Sequence, residues 1–174
     1  RTASSETENK LRLEINNVNN GWKFSYGITA QYVDYSAKNN IRRRAEVGNQ
    51  PEERFLYNSE IDFFKGGAFI QLGKRLFNDR LGMNAGIRTD INSITDDGGD
   101  PLKAISPRVA LSYVLGEKWN INATIGRYAK INPYTILGFR DNSGKLVNLS
   151  NNYITNVHYA AGFEFLPKST TRFT

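Results

Sequence analysis

Leu81-Gly82-Met83-Asn84-Ala85-Gly86-Ile87-Arg88-Thr89-Asp90-Ile91-Asn92 is the stretch that decides the fold class. Leu81, Met83, Ala85, Ile87 and Ile91 alternate with Asn84, Gly86, Arg88, Asp90 and Asn92. Successive side chains of a strand point to opposite faces, so this run makes one oily face and one wet face. A short turn, Phe77-Asn78-Asp79-Arg80, precedes it, and a polar loop over 93–104 follows. Short turn and long loop then take turns along the rest of the chain. That rhythm predicts an all-β, antiparallel, up-and-down transmembrane barrel segment of about eight meandering strands, whose two rims face different compartments.

Working outward, the first ten residues read as polar loop. Strands are expected over 10–16, 22–35, 61–76, 81–92, 105–115, 119–130 and 153–165, with an eighth starting at Thr170. In the second, Trp22, Phe24, Tyr26, Ile28, Ala30 and Tyr32 share a face opposite Lys23, Ser25, Gly27, Thr29 and Gln31. Gly66-Gly67 is expected to mark a bulge. Long loops are expected over 36–60, 93–104 and 131–152. Short turns are expected at 17–21, 77–80, 116–118 and 166–169. Trp22 and Trp119 each follow a short turn, and Tyr113 and Phe165 each precede one. Four aromatic rings at one rim, three of them amphipathic, are what a headgroup-level girdle requires. In outer-membrane barrels the short turns are periplasmic and the long loops face outside.

Composition narrows the function classes. The chain has 174 residues, 39% of them hydrophobic, enough for one domain. Its mean hydropathy is negative, as expected where only alternate strand residues meet lipid. No apolar run approaches the roughly 20 residues of a spanning helix. There is no cysteine and one histidine, His158, so thiolate or histidine metal sites and a catalytic triad have almost nothing to draw on. No cofactor or enzymatic activity is expected. Net charge is +6, but no nucleic-acid motif or basic helix accompanies it. The stretch opens at Arg1 and stops inside what reads as a strand, as a piece of a longer protein would.

Some residues stand out for their chemistry. Arg88, Asp90 and Arg108 face inward from adjacent strands. They are expected to pair across the strands, holding the wall rigid or offering a contact to an anionic ligand. Arg42, Arg43 and Arg44 form the sharpest charge run, suited to phosphates of lipopolysaccharide or an anionic substrate, or simply to a solvated loop. Asp96, Asp97 and Asp100 with two glycines lack calcium-loop spacing. Tyr134, Phe139 and Tyr153, in or beside the last long loop, are candidates to stack on a ligand ring. Three readings stay open on these grounds: a section of a large transport barrel, a small complete barrel acting as adhesin or anchor, and a soluble lipocalin-like barrel.

From the third strand onward, ordered motifs add to this: Ala68-Phe69-Ile70-Gln71, Gly86-Ile87-Arg88-Thr89-Asp90, Ser106-Pro107-Arg108, Gly126-Arg127-Tyr128 followed by Asn132-Pro133, and Ala161-Gly162-Phe163-Glu164. Their order and spacing resemble the barrel of TonB-dependent outer-membrane receptors, over roughly 63–174. The resemblance implies a barrel of about 22 strands around an N-terminal plug, placed in the outer membrane. It implies uptake of a scarce ligand, such as an iron–siderophore complex, cobalamin or an oligosaccharide, powered through the TonB complex. The present stretch would be a partial barrel domain over 1–174, about a third of that wall, without plug or TonB box. Inward ion pairs would then also be able to meet a plug.

Overall fold

A computed structural model describes residues 2–43, 53–141, 143–151, 153–168 and 171–173. Eight antiparallel strands form one sheet in sequence order: β1 (Thr2–Asn19), β2 (Trp22–Arg43), β3 (Glu53–Leu76), β4 (Leu81–Asn92), β5 (Ser106–Val114), β6 (Trp119–Lys130), β7 (Ile154–Lys168) and β8 (Thr171–Phe173). One short helix, α1 (Tyr134–Leu137), lies between β6 and β7. The sheet is open: each strand pairs with its sequence neighbours, and β1 and β8 are its edges.

Register shows how the sheet is inclined. One pairing row runs from Trp22 through Lys74, Met83, Leu111 and Ala123 to Ala161. Trp22 opens β2, Met83 is third in β4, Ala123 is fifth in β6, and Ala161 lies seven residues before the end of β7. The short-turn rim therefore drifts by about one residue per strand. One residue is about 3.4 Å along a strand and neighbouring strands are about 4.8 Å apart. The implied inclination is about 35°, the tilt that barrel closure demands.

The same parity divides the faces. Ile28, Ile70, Ile87, Val109, Ile125 and Tyr159 share the outward face, and each stands substantially exposed. A soluble ligand-binding barrel would enclose these side chains instead. On β2 the outward apolar run spans Trp22 to Tyr32, about 33 Å of strand and about 27 Å of height at that inclination. The lipid-facing band of such barrels is about 25 Å tall. Tyr32 closes the band at its upper end, where its hydroxyl donates to Asp62 at 3.3 Å. At the lower end Trp119 stacks on Phe165, with ring centroids 4.4 Å apart.

Several expectations need correction. Residues 2–9, expected as loop, are strand: Thr2 to Asn9 pair with Asn39 to Tyr32. The loop expected over 36–60 is largely paired too, from Ser36↔Glu60 out to Arg43↔Glu53. These extensions stand beyond the apolar band, where backbone pairing persists but lipid no longer imposes an apolar face. Residues 44–52 lie outside the description. There is no bulge at Gly66-Gly67, because register runs unbroken on both sides of β3. Crowding explains those glycines instead. A Cβ on Gly67 would meet Asp90 Oδ1 at 2.5 Å, and one on Gly66 would meet Ile91 Cγ1 at 3.0 Å. The turn expected at 166–169 is strand as far as Lys168, while Ser169 lies outside the description.

Ala123 faces outward at mid-band, and its neighbour Thr124 faces inward with its hydroxyl 3.2 Å from the Val109 carbonyl. Folding equilibria in bilayers should show Ala123→Arg costing about 2–4 kcal/mol. Thr124→Arg should cost only about 1 kcal/mol, the worth of that hydroxyl bond.

Candidate functional site

The long β6–β7 connection turns inward. Pro133 leads into α1, which presents Leu137 to the extended upper parts of β2 and β3. There the inward face changes character: Val33, Tyr35, Ala37, Ile61 and Phe63 replace the polar residues below and bury Leu137 completely. Ser59 donates its hydroxyl to the Gly138 carbonyl at 2.7 Å, and Arg140 Nη2 donates to the Glu60 carbonyl at 2.9 Å. Full burial of a leucine is worth about 1.5–3 kcal/mol, so Leu137, with Ile131, Tyr134 and Leu146 packed against the same cluster, anchors the connection across the wall.

Tyr134 is the second anchor. Its ring meets Tyr35 and Phe63 edge-on, with centroids 5.8 and 5.4 Å away. Its hydroxyl donates to Glu8 Oε1 at 2.6 Å and accepts from the Lys65 ammonium. Lys65 also pairs directly with Glu8, at 2.6 Å. First burial, then the bond to Glu8, raises the Tyr134 pKa above its ordinary value near 10. A parallel tie joins the end of the connection to β4. Asn92 Oδ1 accepts from the Ile94 and Thr95 amides, while its Nδ2 donates to the Tyr153 hydroxyl at 2.9 Å. That hydroxyl donates in turn to the Asp90 carbonyl at 3.2 Å, and burial again raises its pKa.

Between the folded-in connection and the wall lies a basin of about 790 Å³, lined among others by Glu8, Lys65, Arg88, Asp90, Tyr134 and Tyr153. Arg88 holds Asp90 with two bonds, Nε to Oδ2 at 2.8 Å and Nη2 to Oδ1 at 2.5 Å. The expected pairing with Arg108 is not formed. Arg88 stands opposite Ser106 and Asp90 lies beyond the last β4–β5 pair, so Arg108, opposite Gly86, is in register with neither. Arg108 lies opposite Gly86 and Gly126 and donates to the neutral amide of Gln71 at 2.7 Å. Its charge is therefore not cancelled by a carboxylate there. His158 faces inward, its ring 4.9 Å from that of Tyr128.

Of the other expected residues, Tyr134 reaches the basin, but its ring is packed and bonded, not free to stack. Phe139 flanks the small turn closed by the Arg140↔Leu146 bridge and is exposed, outside the basin lining. The side chains of Arg42 and Arg43, and all of Arg44, lie outside the described residues. Asp97 pairs with Lys103, and no ligating cluster fit for a metal occurs among the described residues. Glu8, Lys65 and Asn92 went unforeseen. Glu8 falls in the stretch read as loop, yet it continues the inward parity of Arg12 and Glu14.

Because the Tyr134 pKa is raised, docking of the connection keeps its full strength below pH 10 and weakens as pH climbs through the raised value. Proteolysis of the 131–153 connection, followed against pH, should show that onset. Tyr134→Phe should reduce the alkaline step, leaving the part carried by Tyr153, and cost about 1–3 kcal/mol of docking at neutral pH.

A family model described as TonB dependent receptor-like, beta-barrel, matches residues 2–174. A solved structure titled "Copper transporter OprC" superposes with a TM-score of 0.65 at 16% identity, covering 96% of this chain and 29% of that one. At that identity the likeness is one of fold, and the chain spans 29% of that transporter's length. No curated protein sequence matches the chain.

Proposed function

This chain belongs to the family of TonB-dependent receptor β-barrels, and on that premise we propose that it forms a section of the wall of an outer-membrane receptor for active uptake of a scarce ligand. The observation that carries the reading is the division of one inclined sheet into an exposed apolar face and a polar face roofed by its own connection. The first suits hydrocarbon, and the second suits the water-filled interior of a large barrel. Both open edges need strand partners in lipid, where an unpaired amide costs several kcal/mol. Further strands of the same barrel supply them.

The long connections face outside and the short turns face the periplasm. A ligand arriving from outside meets the Tyr134 connection first and the Arg88–Asp90 wall beneath it. Arg108, hydrogen-bonded to the Gln71 amide, offers its charge to an anionic group of the ligand or of the plug. The ligand is a small molecule or an oligosaccharide. Energy reaches the receptor from the TonB complex through the plug.

Cells carrying the full-length protein, with and without TonB, would be offered iron–siderophore complexes, cobalamin and oligosaccharides in turn. Accumulation of one of them only when both the protein and TonB are present is the expected outcome. Uptake undiminished by loss of TonB contradicts the proposal.

A further inference from the structure

At the short-turn end of the outward face, one cation interrupts the apolar surface. Lys74 stands in β3 with Leu72 and Leu76 two residues away on its own face, and with Trp22 and Met83 as its register partners. Its ammonium lies 4.3 Å from the centroid of the Trp22 ring, within cation–π range. Every one of these neighbours is uncharged, so nothing beside Lys74 on that face neutralises it.

Height gives the cation its meaning. At one residue of drift per strand, Trp22 on β2 and Trp119 on β6 share a level, although Trp119 lies four residues from the pairing row of Trp22. Phe165, stacked on Trp119, belongs to the same girdle. Lys74 falls within about one residue of it. A lysine just inside the girdle lays its alkyl stem on apolar surface and carries its charge to the headgroups. The ring beneath it limits where the ammonium can go, and the indole N–H adds a second donor at that height.

We propose that Lys74 and Trp22 form a binding site for the phosphate of a phospholipid in the leaflet at the short-turn rim. An anionic headgroup is preferred to a zwitterionic one, because the register partners and face neighbours of Lys74 carry no negative charge. Lys23 provides the internal contrast. It is one residue from Trp22, at the same height and with the same charge, but parity places it on the inward face, away from lipid.

This proposal rests on the membrane reading above, yet the two fail differently. The full-length protein would be folded into phosphatidylcholine vesicles with and without phosphatidylglycerol, then extracted and titrated with phosphatidylglycerol by native mass spectrometry. Lys74→Gln should weaken lipid binding about fivefold, as loss of one basic residue at a membrane surface does. Lys74→Arg should retain binding, and Lys23→Gln should leave it unchanged. Glycerol phosphate at equal concentration should not displace the lipid. Unchanged affinity in Lys74→Gln, or an equal loss in Lys23→Gln, overturns the site, and displacement by glycerol phosphate would mark a free-anion site instead. If Lys74→Gln fails to fold, Trp22→Leu keeps the charge and removes its platform, and undiminished binding there also overturns the proposal. Failure of the unaltered protein to enter vesicles would contradict the membrane reading itself.

Discussion

In hydrocarbon a backbone amide has only another strand to bond to, and the rest of this structure follows from that requirement. Seven adjacent pairings meet it with neighbours in sequence order. Antiparallel neighbours need only short turns, so the chain advances around the wall one hairpin at a time. The turns then have to climb by about one residue per strand, as the row from Trp22 to Ala161 does. Without that climb the sheet could not incline, and an upright sheet does not close.

Inclination and parity together assign each side chain its surroundings. Outward residues between the Trp119 girdle and Tyr32 meet lipid, and most are apolar or aromatic, as Phe24, Ile28, Ile70, Met83 and Ile125 are. Inward residues at the same heights meet water and each other, and most are polar or small, as Ser25, Gln71, Asn84, Arg88 and Thr124 are. Above the band both sides are wet, and the constraint on the outward face disappears. There the inward face of β2 and β3 becomes apolar, because it packs against the β6–β7 connection through Leu137. The molecule thus has a small core of its own, located outside the membrane zone and built by a loop.

This explains what could be read from residue order. The bounds of β4 and β6 agree with expectation because both strands lie mostly within the lipid band, where alternation is enforced from Leu81 and from Trp119 onward. The upper parts of β1, β2 and β3 were not legible. Thr2 to Asn9 carry no apolar period, and what makes them a strand is the partner edge offered by β2, a long-range fact. The inward fold of the last long connection was hidden for a related reason. Leu137 is one of several scattered apolar residues there, and its pocket is assembled from β2 and β3, far earlier in the chain. Arg88, Asp90 and Arg108 share the face opposite the apolar band. Their partners differ because register sets Arg108 opposite Gly86 while Arg88 faces Ser106 and Asp90 lies past the end of β5. Tyr134 was singled out as a ring and acts equally as a hydroxyl, through Glu8 and Lys65.

The central claim, that alternate side chains along each strand touch acyl chains and water, is tested most directly by spin labels placed singly at each position of 119–130 in the full-length protein in bilayers. Collision rates with oxygen and with a water-soluble nickel chelate would be measured at every site. The structure predicts a period of two in opposite phase, with oxygen favoured at positions 121, 123 and 125 and nickel at 120, 122 and 124. Equal accessibility at neighbouring positions, or oxygen favoured at the even ones, would contradict it.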